Sequence, residues 1–143
     1  ILSVLGRNRN EMLAVYLVKA YCLPVLLYSC EVWTLNDSDM HSVNVAWNNV
    51  FRKIFNACWR ESVNKLLFYC NEMPATYIMD VHKLLIYKKL MRSENDVLKL
   101  LYNIAQCNIK LVCSKYKVNL MTDSIATIKQ RVWRQFCTVC QTN

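Results

Sequence analysis

The residues best suited to chemistry in this sequence are few and widely separated. Cys137 and Cys140 form a C-x-x-C pair, which is half of a tetrahedral zinc site because structural zinc needs four ligands. No second ligand pair follows before Asn143, so we expect the pair to bind no metal in this chain. Whether it binds zinc within a longer parent protein stays open.

The other candidate groups do not form a catalytic set. His41 and His82 are far apart in sequence, and Gly6, the single glycine, cannot build a phosphate-binding loop. The tetrapeptide YIMD at 77–80 superficially resembles a polymerase Y-x-D-D box. However, Val81 replaces the second carboxylate that two-metal catalysis needs, and the tetrapeptide falls inside a helical pattern. We therefore predict that this chain alone is not an enzyme and has no cofactor.

The charge pattern points to a polyanionic partner. Eighteen basic against ten acidic residues give a net charge of +8, and the excess lies beyond residue 48. Such a surface favours nucleic acid first and a membrane surface second, while a solvated basic face without a ligand is the plain alternative. The segment 49–92 supplies the candidate phosphate contacts Arg52, Lys53, Arg60, Lys65, Lys83, Lys88, Lys89 and Arg92.

The cysteines and the apolar runs indicate an intracellular protein, in the cytoplasm or nucleus, without a membrane span. The eight cysteines are Cys22, Cys30, Cys58, Cys70, Cys107, Cys113, Cys137 and Cys140. Most of them lie among apolar neighbours, so we interpret them as reduced thiols. The longest uncharged stretch, residues 20–30, is shorter than the roughly 20 residues that a spanning helix needs. A start at Ile1-Leu-Ser, with no secretory signal, also suggests a piece of a longer protein.

Scarce glycine and proline favour an all-α fold over a turn-rich β fold, and we predict one helical bundle of five to six helices over residues 1–143. The first helix begins near Asn10 and bends at Pro24, which lacks a backbone donor. The polar run NDSD at 36–39 caps a second helix, whose apolar stripe is Val43, Trp47, Val50, Phe51, Ile54, Phe55 and Cys58.

Four further helices are predicted. Ser62 caps a short helix to about Tyr69, and Pro74 opens one to about Arg92 that exposes His82, Lys83, Lys88, Lys89 and Arg92. Ser93 and Asp96 have capping-box spacing for a helix to about Ala105. Residues 106–121 lack a clear period and are expected to be loop or short helix. Thr122 and Asp123 cap the last helix, with Ile125, Ile128, Val132, Phe136 and Val139 inward.

The segment LVKAYCLPVLLYSCEVWTLNDSDMHSVNVAWNNVFRKIF resembles the region after the catalytic palm in LINE-type (non-LTR retrotransposon) reverse transcriptases. The matching residues are Tyr21, Pro24, Leu26, Leu27, Tyr28, Glu31 and Trp33, then Trp47, Asn48, Phe51, Arg52, Lys53, Ile54 and Phe55. Ser29 and Asn56 stand where that family usually has glycine, which suggests a diverged or decaying copy.

The resemblance implies a thumb-like helical fragment of an RNA-directed DNA polymerase, without the palm and its metal-binding aspartates. In that family the thumb closes over the primer–template duplex, so the implied partners are an RNA/DNA duplex backbone and the palm of a parent polymerase. The alternatives are a helical protein-interaction module, with an exposed apolar surface through which the chain self-associates, and an inert remnant of a mobile element.

Overall fold

The computed structural model describes residues 10–28 and 36–141, without the side chains of 105–108. These residues form seven α-helices and contain no strand, which confirms the all-α prediction. The number of helices is slightly larger than the five to six predicted. The helices are α1 (Glu11–Leu17), α2 (Leu23–Leu26), α3 (Asp37–Phe55), α4 (Val63–Tyr69), α5 (Ala75–Arg92), α6 (Asp96–Tyr116) and α7 (Ile125–Gln141). Ser29, Cys30, Glu31 and Trp33 lie outside the described residues.

The chain divides into two compact units, Ile1–Thr76 and Tyr77–Asn143. Helices α1 to α4 belong to the first unit, whereas α6, α7 and all but the first two residues of α5 belong to the second. The single domain over 1–143 stays a prediction. No helix in the described ranges combines the length and apolarity needed to cross a membrane.

The first helical segment changes from α to π geometry just before Pro24. The Asn10 side chain caps α1 by accepting hydrogen bonds from the backbone N–H groups of Met12 and Leu13, at 3.0 and 3.1 Å. A π-helical turn, Val18–Cys22, then joins α1 to α2. Pro24 lies in the first turn of α2. A residue without a backbone N–H is tolerated best in the first turn of a helix. The α-helix is therefore interrupted before Pro24 and restarts at Leu23, while the predicted bend stays a prediction.

Helix α3 provides the core of the first unit. Asn36 caps it, since its Oδ1 accepts a hydrogen bond from the Asp39 backbone N–H at 2.7 Å. Trp47, Phe51 and Ile54 are buried, which confirms the centre of the predicted stripe, whereas Cys58 at its far end is exposed. Trp47 also donates its indole N–H to the Met73 carbonyl at 3.0 Å, so this buried ring has a polar partner.

Asn56 ends α3 in the left-handed conformation, with φ 51° and ψ 36°. Glycine is the commonest residue at this position of a helix end, and asparagine is the usual second choice. Asn56 is therefore well suited to the turn that ends α3. Ser62 begins α4 as predicted, but its side chain makes no capping hydrogen bond.

The core of the second unit combines α5, α6 and α7. The buried side chains include Leu84 on α5, Ile109 and Tyr116 on α6, and Ile128, Val132 and Phe136 on α7. Aromatic contacts connect all three helices, because the Tyr77 ring lies 6.3 Å from Tyr116 and 5.6 Å from Phe136. The predicted inward stripe of α7 is thus confirmed at its centre, although Ile125 at its first turn is exposed.

The predicted starts of α6 and α7 were wrong by one or two residues. Asn95, not Ser93, caps α6, because its Oδ1 accepts from the N–H groups of Val97 and Leu98. Ser124 replaces Thr122 and Asp123 as the cap of α7, accepting from the Thr127 N–H at 3.1 Å. In both cases several short polar side chains compete for one cap, and the backbone geometry selects among them.

The interpretation of residues 106–121 was also wrong in part. Helix α6 continues past Ala105 to Tyr116, and Lys117 ends it in the left-handed conformation. This part of α6 shows no clear helical period in its sequence because α6 has apolar residues on more than one side, so no single apolar stripe is visible.

Candidate nucleic-acid interface

The eight predicted phosphate contacts fall into two sets, one in each unit. Arg52, Lys53, Arg60 and Lys65 belong to the first unit, and Lys83, Lys88, Lys89 and Arg92 lie on α5 in the second. We call Arg52, Lys53, Trp59, Arg60 and Lys65, which surround the connection from α3 to α4, the basic corner.

Arg52 organises the basic corner. Its guanidinium donates to Asn49 Oδ1 and to the backbone carbonyl of Glu61, both at 3.2 Å. The second contact fastens the last turn of α3 to the loop that precedes α4. Arg52 is half-buried, and its Nε has no hydrogen-bond partner among the described atoms, so this side chain positions the loop more than it presents charge to solvent.

Trp59 and Arg60 form the most exposed part of the corner. The Trp59 side chain is 74% exposed, and the Arg60 guanidinium carbon lies 5.0 Å from the centroid of its ring. A cation above an indole face is a favourable arrangement, and it leaves the guanidinium able to meet an anion. An exposed indole beside an arginine is also the pair on which a nucleic-acid base can stack.

Lys53 and Lys65 complete the corner and are both exposed. Residues 52–65 contain four basic residues and one acidic residue, Glu61. The local formal charge of this segment is therefore strongly positive.

The prediction that Lys88 is exposed was wrong, because its side chain is buried. It is only 4% exposed, and its ammonium donates to the Leu120 carbonyl at 2.6 Å. A lysine stem is long and apolar enough to cross a core, and a single carbonyl at its tip stabilises the charge. Lys88 is thus a structural residue and not a phosphate contact.

The remaining three cations of α5 do not share one face. Lys89 and Arg92 are exposed, and Lys83 is half-buried. Lys83 and Arg92 are nine positions apart, which at about 100° per residue places them on opposite sides of the helix. The basic corner is therefore the more coherent of the two candidate sets.

A polar cluster in the second unit was not predicted. Asp80 is buried and accepts from the Lys115 ammonium at 2.8 Å and from the Tyr116 hydroxyl at 2.6 Å. Burial, and then the hydrogen bond to Asp80, raise the pKa of the Tyr116 phenol far above its usual range. Since Asp80 lies in α5 with both partners on α6, it is not part of a polymerase-type hairpin. The partners are some 35 residues away, so no local pattern could reveal the cluster.

The described residues offer no group of three or more His, Cys, Asp or Glu side chains suited to a metal. At the C-x-x-C pair, burial raises the pKa of the Cys140 thiol, and Cys137 adds to the effect. A raised pKa disfavours the thiolate that zinc requires.

The first unit also has an exposed apolar surface away from the basic corner. Tyr16, Tyr21, Val25 and Tyr28, on and beside α1 and α2, are exposed, and a groove of about 350 Å³ runs between α2 and α3. We call these four residues the α1–α2 surface. Surfaces of this kind mark contacts with other macromolecules.

Comparisons of the chain with protein-family models, with curated proteins and with solved structures find no match.

Proposed function

We propose that the chain is a non-catalytic, thumb-like fragment of a retrotransposon-type RNA-directed DNA polymerase that contacts the backbone of a primer–template duplex. The observation that supports this best is the basic corner, where Arg60 covers the exposed face of Trp59 beside exposed lysines. Arginine and lysine neutralise phosphates without reading sequence, which suits an enzyme that must hold any template.

The turn at Asn56 also supports the resemblance. A glycine in the family and an asparagine here both permit the left-handed conformation that ends α3. The backbone that presents Trp59 and Arg60 after this turn is therefore compatible with either residue. The localisation we propose is intracellular, because six described cysteines are free thiols, the state that a reducing compartment maintains.

A binding titration of the full chain against a fluorescent RNA–DNA hybrid tests the proposal. We expect binding at low salt that weakens by at least about tenfold between about 50 and 200 mM salt, because bound phosphates release counterions. Arg60→Gln should weaken binding about threefold because one phosphate contact is lost. Trp59→Ala should weaken it about as much, because Arg60 then loses the ring that holds its guanidinium. Arg134→Gln is the matched control, since Arg134 is an exposed arginine on α7.

Two results would contradict the proposal. One is the absence of binding at low salt, or binding indifferent to salt. The other is equal weakening by Arg60→Gln and Arg134→Gln, which would mean that net charge alone attracts the hybrid and the basic corner has no special role.

A helical interaction module is the second candidate function, and the α1–α2 surface favours it. Tyr21 and Val25 are exposed and line the groove, which suits an apolar partner such as the palm of a parent polymerase. Tyr21→Ser combined with Val25→Ser should reduce binding of an apolar dye and leave hybrid binding unchanged. If the double variant binds as much dye as the original chain, the α1–α2 surface is not an apolar contact site.

A further inference from the structure

Helix α6 has an apolar outer face although its inner face already packs within the second unit. Ile109 and Tyr116 are buried on the inner side. The outer face consists of the exposed side chains Val97, Leu100, Leu101, Ile104 and Leu111. A surface helix of a globular protein normally has one apolar stripe, so a second stripe indicates a second packing partner.

The outer face has the spacing of a short coiled-coil seam. Val97, Ile104 and Leu111 recur every seven residues, and Leu100 follows Val97 by three. They correspond to the a and d positions of a heptad, which pack against a partner helix. On one edge of the seam, at the g positions, are Asp96, Asn103 and Lys110.

We propose that this face binds the same face of a second copy of the chain, with the two α6 helices antiparallel. In that arrangement Leu100 packs beside Ile104 of the second copy, and the two-fold axis passes near residue 102. The g edges of the two helices then face each other, so Asp96 lies opposite Lys110 of the second copy, and the reverse pair forms at the other end. Asn103 faces its own counterpart between them.

The charge pattern selects the antiparallel orientation. A parallel pair would give neither Asp96 nor Lys110 an oppositely charged partner on the second copy, because their facing positions there are Leu101 and Lys115. Within one chain, Asp96 accepts from the Lys99 ammonium at 3.3 Å, but the Asp96 side chain is 96% exposed. Exposed pairs of this kind contribute little, so Asp96 can exchange this partner for Lys110 of the second copy.

The interface is small, so the dimer should be reversible. Helix α6 is about 30 Å long, and five aliphatic side chains from each copy make a narrow contact at the transient end of the size range. We expect dissociation constants of about 10 μM or weaker. This inference does not depend on nucleic-acid binding.

Sedimentation equilibrium of the full chain, from about 1 to about 500 μM, tests the inference. We expect a monomer–dimer equilibrium that Ile104→Asp weakens about 100-fold, because a carboxylate would be buried at the centre of the seam. Lys110→Glu and Asp96→Lys should each weaken it about tenfold, since each turns two attractive pairs into repulsive ones. Lys129→Glu is the control for charge reversal, because Lys129 is exposed on α7.

Mixing the two charge variants is the sharper test. In a 1:1 mixture, the lysine introduced at position 96 of one chain meets the glutamate introduced at position 110 of the other. The unchanged Asp96 and Lys110 meet at the opposite end of the same pair of helices. Association should therefore return to within about threefold of the original chain. Circular dichroism of each variant confirms that the helices are retained.

Three results would overturn the inference. The first is a monomer at every concentration, which would leave α6 to another partner or to another part of the same chain. The second is a dimer that Ile104→Asp does not weaken, since association would then use another surface such as the α1–α2 surface. The third is a mixture that stays as weak as its components, which would exclude the antiparallel register.

Discussion

Positive charge is used differently in the two units. In the first unit, Arg60 and Lys65 of the basic corner are exposed, and the guanidinium of Arg60 lies over the indole ring of Trp59. In the second unit, three cations contribute to internal structure. Lys88 binds the Leu120 carbonyl, Lys115 binds Asp80, and Arg131 binds both Asp123 and the carbonyl of Lys117.

The difference shows that formal charge does not measure the charge available to a ligand. The second unit is the more basic by sequence, with eleven basic and four acidic residues against seven and six in the first. In the second unit, however, carbonyls and buried carboxylates already satisfy several ammonium and guanidinium groups. Such groups stabilise helix ends and connections, because a buried or half-buried cation without a partner would be costly. The comparison predicts that substitutions in the second unit affect folding, and that those in the basic corner affect binding.

The largest effect is expected at Lys88. Lys88→Ala should lower the free energy of unfolding by about 3 kcal/mol, because it removes a buried stem and the hydrogen bond to Leu120. Lys89→Ala, at the neighbouring exposed position, should change it by less than about 0.5 kcal/mol. Urea unfolding followed by circular dichroism measures both. Equal effects of the two substitutions would contradict the burial of Lys88.

A smaller, pH-dependent effect is expected at Tyr116. Tyr116→Phe should cost about 2 kcal/mol near pH 7, since the hydroxyl donates to the buried Asp80 carboxylate. Folding raises the pKa of this phenol, so its contribution is present below the ordinary value of about 10 and is lost as the pH rises further. Urea unfolding at about pH 7 and about pH 11 should show the cost shrinking.

The matched control for this prediction is Tyr69→Phe, because the Tyr69 side chain is exposed. A cost of Tyr116→Phe that is the same at both pH values would mean that the Asp80 cluster does not hold the phenol in its neutral form.

The smallest effect is expected on the salt dependence of hybrid binding, where an exposed lysine, Lys65, is compared with a paired lysine, Lys115. Lys65→Gln should reduce the slope of log binding constant against log salt by about one, because one phosphate contact is lost. Lys115→Gln should leave the slope unchanged, since Asp80 already holds this ammonium. Titrations with the RNA–DNA hybrid at several salt concentrations give both slopes. An equal change in the two variants would remove the distinction between the units.

The sequence by itself determined the helical class and most helix positions. Scarce glycine and proline, the apolar spacing around Trp47 and Phe51, and the caps at Asn10 and Asn36 are local signals, and local signals decide whether a helix forms and where it begins. It also identified the basic segment 49–92. Where it failed locally, as at Ser93, several competent caps stood within a few residues of each other.

Only the tertiary structure decided which charges stay at the surface. Lys88 and Lys89 are neighbours with the same side chain, but one crosses a core and the other does not. The ammonium of Lys88 binds the carbonyl of Leu120, some 32 residues further along the chain. In the same way, the buried Asp80 depends on distant partners, Lys115 and Tyr116. Burial and ion pairing depend on contacts between distant segments, and no spacing along one segment contains that information.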